Sequence, residues 1–236
     1  MALIDDLRTE SNEIVKNTWD ICDSKAVPEP EDLGLKNEGV KMQATFLYAD
    51  LADSTELAIG GAKIAAEVFK AYLRGTTRII RALGGEIRSF DGDRVMGVFT
   101  EGNKNTAAAK AALKINHFFR KILHPAFAEK YRSNTPGLVQ TVGIDTSNVL
   151  VVRAGIRNNN DLVWVGRAPN VAAKLSAIRD GNPSYITEAV FNSMLDEAKY
   201  GVSNGAKTLM WVRCTWKGGE AYGVPIVYRS TWTWQP

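Results

Sequence analysis

The order in which strand and helix patterns follow one another constrains the fold of this chain more than any other feature. Apolar and polar residues alternate where a strand is indicated, and apolar residues recur at helical spacing elsewhere. In chain order the patterns are strand, helix, two hairpin strands, helix and strand, at residues 42–51, 54–83, 88–91, 93–99, 104–124 and 138–145. This β-α-β-β-α-β order predicts an α+β fold with a ferredoxin-like split βαβ core, an antiparallel central sheet and helices on one face.

Length and local composition predict one globular domain with an N-terminal extension. One or two short helices fit residues 3–22, and the proline- and acid-rich stretch VPEPEDLGLKNEG follows at residues 27–39. We therefore assign residues 1–40 to a helical extension and linker and residues 41–236 to the main domain. Further strand or helix patterns follow at residues 148–155, 161–166, 170–179, 184–187, 188–198, 208–216 and 222–229.

Several classes of protein are disfavoured by charge and hydropathy. The formal net charge is only +3, and no block of lysine and arginine is present, so no nucleic-acid partner is expected. No apolar run approaches the roughly 18 residues of a membrane span, and the N-terminus lacks the basic and apolar regions of a signal peptide. The two cysteines, Cys22 and Cys214, lie far apart and read as free thiols, which favours a cytoplasmic location without a membrane partner.

Two aspartates are placed to meet at the ends of neighbouring strands. In FDGDRVMGVF, Asp91 and Gly92 fit a hairpin turn, whereas Asp93 begins the second strand. Asp50 ends the strand at residues 42–51, which the split βαβ order places beside this hairpin. Two neighbouring carboxylates repel each other unless a cation lies between them, and oxygen ligands suit Mg²⁺ or Mn²⁺. The pair therefore predicts a divalent-metal site.

The residues that follow Asp50 are suited to bind phosphate. In LADSTE, Asp53 fits an N-cap with Glu56 as its capping-box partner, so a helix is expected to begin there. The free N–H groups of a helix start and its positive dipole end attract a polyphosphate, and we assign this role to Ser54 and Thr55. Metal-binding carboxylates beside a phosphate site indicate phosphoryl or nucleotidyl transfer.

Four stretches extend this pattern along most of the chain. They are FLYADLADSTELA, FDGDRVMGVF, VGIDTSNVLVVRAG and VWVGRAPNVAAKL, at residues 46–58, 90–99, 142–155 and 163–175. In order and spacing they resemble the motifs of class III nucleotidyl cyclases. The resemblance implies a homodimer with active sites at the interface and two divalent ions, Mn²⁺ or Mg²⁺, in each site. It also implies that the ribose 3′-hydroxyl attacks the α-phosphate, which forms a 3′,5′-cyclic nucleotide and releases pyrophosphate.

The same resemblance assigns roles to individual residues. Asp50 and Asp93 become the metal ligands, assisted by the backbone carbonyl of Leu51. Asn170 resembles the ribose-orienting asparagine of the family, and Lys174 stands where an arginine usually stabilises the pentavalent phosphate. One helical turn separates these two residues, so they share a face.

Lys217, in TWKGGE, is assigned as a further phosphate-binding charge. At the C-terminus, Trp232 and Trp234 alternate with threonine, which predicts a strand or arm packed on another surface, such as that of a second subunit.

The base-selecting positions depart from those of purine cyclases. By the same resemblance, Ser89 stands where adenylyl cyclases carry a lysine, and Val163 where they carry an aspartate or threonine. The chain is similar instead to stand-alone bacterial pyrimidine cyclases that act in anti-phage signalling, and UTP is favoured over CTP as the substrate. Arg88 would suit the carbonyl oxygens of uracil, but strand alternation predicts that it faces away from Ser89. The alternatives are an adenylyl cyclase with an atypical base pocket and a catalytically silent nucleotide-binding module.

Overall fold

A computed structural model describes residues 2–52, 57–59, 61–132 and 137–236. The chain divides into two compact units, a smaller one of residues 1–43 and 148–166 and a larger one of residues 44–147 and 167–236. The described helices are α1 Leu3–Lys16, α2 Ala62–Ala82, α3 Lys104–Phe118, α4 His124–Tyr131, α5 Arg167–Ser176, α6 Glu188–Ser193 and α7 Asp196–Lys199. The described strands are β1 Asp20–Asp23, β2 Glu38–Ala52, β3 Glu86–Asp91, β4 Arg94–Phe99, β5 Val139–Ile156, β6 Asn159–Gly166, β7 Ser184–Thr187, β8 Tyr200–Ser203, β9 Ala206–Leu209, β10 Val212–Thr215 and β11 Ile226–Ser230.

The main sheet of the larger unit has the strand order β10-β11-β7-β5-β2-β4-β3. Its part β5-β2-β4-β3 is the strand order of the split βαβ arrangement, with α2 and α3 as the two crossover helices. The pairs β2–β4 and β3–β4 are antiparallel, whereas β7 pairs in parallel with β5. The predicted α+β fold with a ferredoxin-like core is therefore confirmed.

The two faces of β2 in the larger unit differ in what covers them. Leu47, Ala49 and Leu51 alternate on the face that shares one apolar core with α2 and α3. From α2, Val68 and Tyr72 reach this core at helical spacing. The residues that alternate with them, including Asp50, belong to the other face of the strand. The helices thus cover one face, and the aspartate is presented on the opposite one.

Several elements differ in extent from the sequence-based predictions. The patterns at 138–145 and 148–155 belong to one continuous strand, β5, rather than to two. The helix predicted over 104–124 becomes α3, a short π-helical turn at Phe119–Leu123 and then α4, which ends at Tyr131. The π-helical turn keeps Phe119 and Leu123 buried, so the apolar pattern of the sequence is satisfied without a regular helix.

The C-terminal tryptophans lie against their own chain. Residues 231–236 have no regular secondary structure, and Trp232 and Trp234 pack on the apolar core of the larger unit. The side chain of Asn116 donates to the Trp232 carbonyl at 2.7 Å, and the Trp234 amide donates to the Leu113 carbonyl at 3.0 Å. The arm is therefore fastened to α3 by backbone and side-chain hydrogen bonds.

The smaller unit is held together by its own contacts. β1 pairs in parallel with the first part of β2, and β6 pairs antiparallel with the last part of β5. The Asn37 amide donates to the carbonyls of Ile14 and Asn17 at 2.8 and 2.9 Å, which ties the end of α1 to the start of β2. No helix in the described part of the chain is long and apolar enough to cross a membrane.

Candidate active site

The two predicted metal ligands lie at the same end of β2 and β4. The antiparallel register pairs Ala49 with Val95, so Asp50 and Asp93 each lie within two residues of the last ladder pair. Asp93 follows Gly92, whose φ of +61° provides the tight turn between β3 and β4. Asp93 thereby lies in the turn directly before β4, a strand that begins one residue later than the sequence predicted.

The electrostatics of the larger unit show that the charge of Asp93 acts on the Asp50 carboxyl. Burial raises the pKa of the Asp50 carboxyl, and the charge of Asp93 raises it further, while Arg179 lowers it. Burial also raises the pKa of the Tyr72 hydroxyl on α2, with both aspartates contributing in the same direction. The hydroxyl donates to the Gln140 side-chain oxygen at 3.3 Å. Tyr72 is thus a buried hydroxyl of the apolar core that senses the charge of both aspartates.

The donor set fits a hard divalent cation. Asp93 Oδ2 is buried and accepts no hydrogen bond from any residue that the structure describes. A buried carboxylate oxygen without a partner costs free energy unless a cation or water binds it. Among the described residues, no three histidine, cysteine, aspartate or glutamate side chains are grouped so that they could hold a metal ion together. Phosphate oxygens and water would therefore have to complete the coordination of an ion held by Asp50 and Asp93.

Arg179 is a site residue that the sequence analysis missed. Its Nη2 donates to Asp50 Oδ2 at 2.8 Å, and its Nη1 donates to the carbonyls of Ser176 and Ile178. The arginine lies 129 residues from Asp50 in the loop after α5. A single arginine in an irregular loop carries no periodic signal, so only the folded chain reveals this contact.

A β-bulge in β3 changes the predicted orientation of the base-selecting residues. Ile87 pairs with Gly97, but Ser89 pairs with Met96, so Arg88 is an extra residue opposite the partner strand. The strict alternation that would place Arg88 and Ser89 on opposite faces is interrupted at this point. The prediction that Arg88 faces away from Ser89 is therefore wrong.

The ladder pairs show which face these residues share. Glu86 pairs with Val98 and Ser89 with Met96, and Val98 and Met96 are two residues apart on one face of β4. Arg88 is ion-paired to Glu86 at 2.5 Å, and its side chain is only 10% exposed. Glu86 thus holds the guanidinium on the face that carries Ser89. Tyr48 also pairs with Met96, so Asp50, two residues further along β2, belongs to the same face.

Asn170 and Lys174 lie on the exposed side of α5, one turn apart. Lys174 Nζ is 5.5 Å from the ring centroid of Tyr222, which ends the 3-10 helix Lys217–Tyr222. The segment that contains Lys217 is thereby brought against the helix that carries Lys174. Both lysines are exposed, and their phosphate-binding roles stay predictions.

The position of α5 is fixed by its contacts with β5. A Cβ atom on Gly143 would come within 2.2 Å of the Ala172 carbonyl oxygen, so the helix lies directly on the strand. Arg167, the first residue of α5, forms two hydrogen bonds with the buried carboxylate of Asp145, at 3.0 and 3.2 Å. Thr187 donates to the same carboxylate at 2.6 Å. Burial raises the pKa of Asp145, and the contacts with Thr187 and Arg167 oppose this shift.

Replacing Arg167 with alanine is expected to lower the free energy of unfolding by about 3 kcal/mol, because it leaves a buried carboxylate without its cation. Urea denaturation measures this change. The control is Lys207→Ala, which breaks an ion pair with Asp196 whose side chains are 65% and 70% exposed, and should cost less than about 1 kcal/mol. Equal losses in the two variants would contradict the role of Arg167 at the start of α5.

The remaining predicted residues divide into three groups. Leu51 is buried in β2 directly after Asp50. Val163 lies on β6 of the smaller unit, with its side chain 45% exposed. Ser54 and Thr55, the predicted phosphate-binding residues, lie outside the described residues, as does Asp53. The roles of all these residues stay predictions.

Comparison with known proteins gives close relatives over the whole chain. A protein named uridylate cyclase from Xanthomonas perforans is 41% identical over 237 residues, which cover 100% of this chain and 99% of the relative. A protein of the same name from Burkholderia cepacia is 43% identical over 238 residues and 99% of both chains. No protein-family model matches the chain.

Solved structures share the fold at lower identity. The adenylyl cyclase CyaB from P. aeruginosa has a TM-score of 0.68 and 21% identity, with 82% of this chain and 95% of that chain covered. The guanylyl cyclase Cya2 has a TM-score of 0.65 and 18% identity, with coverages of 84% and 96%. These likenesses, to an adenylyl and to a guanylyl cyclase, establish the fold.

Proposed function

The chain belongs to the class III nucleotidyl cyclases and is a nucleotidyl cyclase enzyme, and from this premise we propose that it converts UTP to cyclic UMP and pyrophosphate. The ribose 3′-oxygen forms a bond to the α-phosphorus, the bond from that phosphorus to the β-phosphate oxygen breaks, and the hydroxyl proton is released. The observation that carries the catalytic assignment is the pair Asp50 and Asp93, because one of its buried oxygens has no partner among the described residues. Whole-length similarity to proteins named uridylate cyclase supports UTP.

The β3 bulge supports a pyrimidine with carbonyl oxygens. Uracil presents O4 as an acceptor and N3–H as a donor, whereas cytosine presents an amine in place of O4. Arg88 only donates, and Ser89 both donates and accepts, so the two side chains on one face can satisfy uracil. Facing the amine of cytosine, Arg88 would meet a second donor. UTP is therefore proposed ahead of CTP.

The chain's own residues would divide the chemistry as follows. Asp50, Asp93 and the Leu51 carbonyl hold two divalent ions, Mn²⁺ or Mg²⁺, which lower the pKa of the 3′-hydroxyl and neutralise phosphate charge when bound. Asn170 orients the ribose of the nucleotide, and Lys174 donates to the α-phosphate as negative charge develops on its oxygens.

Further groups would position the substrate. Lys217, Ser54 and Thr55 bind the phosphates, and Val163 keeps the base-selecting role that the family resemblance gives it. We further propose a homodimer in which each site combines metal ligands from one protomer with Asn170 and Lys174 from its partner.

The cellular role proposed for the enzyme is that of a signal generator. Residues 41–236 form the catalytic domain and residues 1–40 an N-terminal extension. The cyclic pyrimidine nucleotide acts as a second messenger in anti-phage defence, and the enzyme works in the cytoplasm. Neither nucleic acid nor a membrane is a partner in this proposal.

We expect UTP to give the main product when ATP, GTP, CTP and UTP compete at equal concentration with Mn²⁺. A pocket that leaves a buried polar group of the wrong base unpaired discriminates by about 1–3 kcal/mol, or roughly ten- to a hundredfold. Mass spectrometry of the cyclic products measures the ratio. Arg88→Ala should lower the ratio of cyclic UMP to cyclic CMP. Arg8→Ala, at an exposed position on α1, should leave this ratio unchanged. Cyclic AMP as the main product would refute the pyrimidine proposal and leave the cyclase assignment intact.

A further inference from the structure

The contact between Arg179 and Asp50 places a cation of the chain on a predicted metal ligand. The Asp50 side chain is 15% exposed and that of Arg179 is 33% exposed, so the pair is partly shielded from water. Arg179 Nη2 occupies Oδ2 of the carboxylate at 2.8 Å. In the absence of metal, the guanidinium thus neutralises a carboxylate that Asp93 would otherwise repel.

A guanidinium and a divalent ion compete for this position. Arg179 binds Oδ2 of the Asp50 carboxylate, and a divalent ion on the same carboxylate would lie within a few ångströms of the guanidinium, where the two cations repel each other. If Asp50 takes up a metal ion, the guanidinium of Arg179 loses its anionic partner. Within the described part of the chain it then keeps only the hydrogen bonds from Nη1 to the carbonyls of Ser176 and Ile178. Its Nη2 is then available to another anion.

The pocket that Arg179 lines is suited to bind such an anion. It has a volume of about 580 Å³ and is lined by basic and polar residues that include Arg120, His124, Arg179, Gln140 and Asn182. None of its described lining residues is acidic. Arg179 both lines this pocket and contacts Asp50, so an anion in the pocket would lie beside the same guanidinium.

We propose that Arg179 is an exchangeable counter-ion that binds Asp50 in the metal-free chain and binds the triphosphate of the substrate once the metal ions are in place. This inference rests on the proposed function, because it takes Asp50 as a metal ligand. The exchange couples the two binding events. Binding of the triphosphate to Arg179 stabilises the state in which Asp50 is free to hold metal, so metal and nucleotide each bind more tightly when the other is bound. Arg179 is then a substrate-binding residue that also weakens metal binding when no nucleotide is bound.

The test measures Mn²⁺ and phosphate binding without any nucleotide. In Arg179→Ala, Mn²⁺ titrated by electron paramagnetic resonance should bind about fivefold more tightly or better, because a competing cation is gone. Inorganic tripolyphosphate, titrated calorimetrically with Mn²⁺ present, should bind about tenfold more weakly, because a charge-assisted contact is lost. Arg179→Lys, which keeps the charge without the fork, should lie between wild type and alanine in both titrations.

The control variant is Arg213→Ala, which removes an exposed arginine paired with Glu188 at 3.7 Å. It should leave both affinities unchanged. Weaker Mn²⁺ binding in Arg179→Ala, or unchanged tripolyphosphate binding, would overturn the exchange. Absence of Mn²⁺ binding to the wild-type chain would instead refute the metal site of the proposed function, so the two failures are distinguishable.

Discussion

Replacing Asp93 with alanine is expected to lower kcat at least about 10³-fold while the chain stays folded. The physical reason is that, in the proposed mechanism, Asp93 and Asp50 together hold the ions that activate the 3′-hydroxyl, and no other acidic group among the described residues joins them in a cluster. The measurement is the initial rate of cyclic product formation at saturating nucleotide and Mn²⁺. Asp50→Ala should behave in the same way.

The same turn offers a matched control. Asp91 lies two residues from Asp93, but its side chain is 74% exposed and paired with Arg94. Asp91→Ala should therefore keep activity within about threefold of wild type, since exposed ion pairs contribute little. A fall of 10³-fold in Asp91→Ala, or more than a tenth of wild-type activity in Asp93→Ala, would show that the wrong aspartate has been assigned.

Stability measurements separate a catalytic role of Asp93 from a structural one. The carboxylate has an unpartnered buried oxygen within the described structure and a like charge nearby, so its removal should leave the melting temperature unchanged or raise it. A structural aspartate would behave in the opposite way. Loss of activity without loss of stability is the expected combination for a metal ligand.

The sequence predicted the topology and the carboxylate pair for the same reason. Strand alternation and helical spacing are local signals, and the β-α-β-β-α-β order leaves few ways to arrange the strands. Once β2 and the β3–β4 hairpin are neighbours, aspartates at their ends must lie close together. The positions of Asp50 and Asp93 therefore follow from local patterns combined with topology.

The bulge and the Arg179 contact could not be predicted in this way. A bulge adds one residue to a strand, and the segment around Arg88 and Ser89 has the same composition with or without it. Arg179 reaches Asp50 across 129 residues, from a loop whose path depends on where α5 ends. Both features change the predicted site, since one changes the face on which Arg88 lies and the other adds a cation to a predicted metal ligand.

A shared active site predicts that two inactive variants restore activity when mixed. In the proposed dimer, Asp50 and Asp93 of one protomer face Asn170 and Lys174 of its partner, and two-fold symmetry makes two such sites. A mixed dimer of Asp93→Ala and Asn170→Ala chains has both defects in one site and none in the other. Random exchange makes about half of the dimers mixed, so roughly a quarter of wild-type activity should return.

The exposed placement of Asn170 and Lys174 on α5 is what makes this result expected, because side chains that serve a partner must reach beyond their own chain. Subunit exchange is first verified with two differently tagged chains that co-purify after mixing. The rate of cyclic product formation is then measured across mixing ratios, and it should be greatest at equal amounts. Asp93→Ala mixed with Asp50→Ala is the matched control, since both defects lie in the metal half and every site keeps one of them. Exchange without recovery in the first mixture would show that each site is built from a single chain. Recovery in the second mixture would show that Asp50 and Asp93 of one protomer do not belong to the same site.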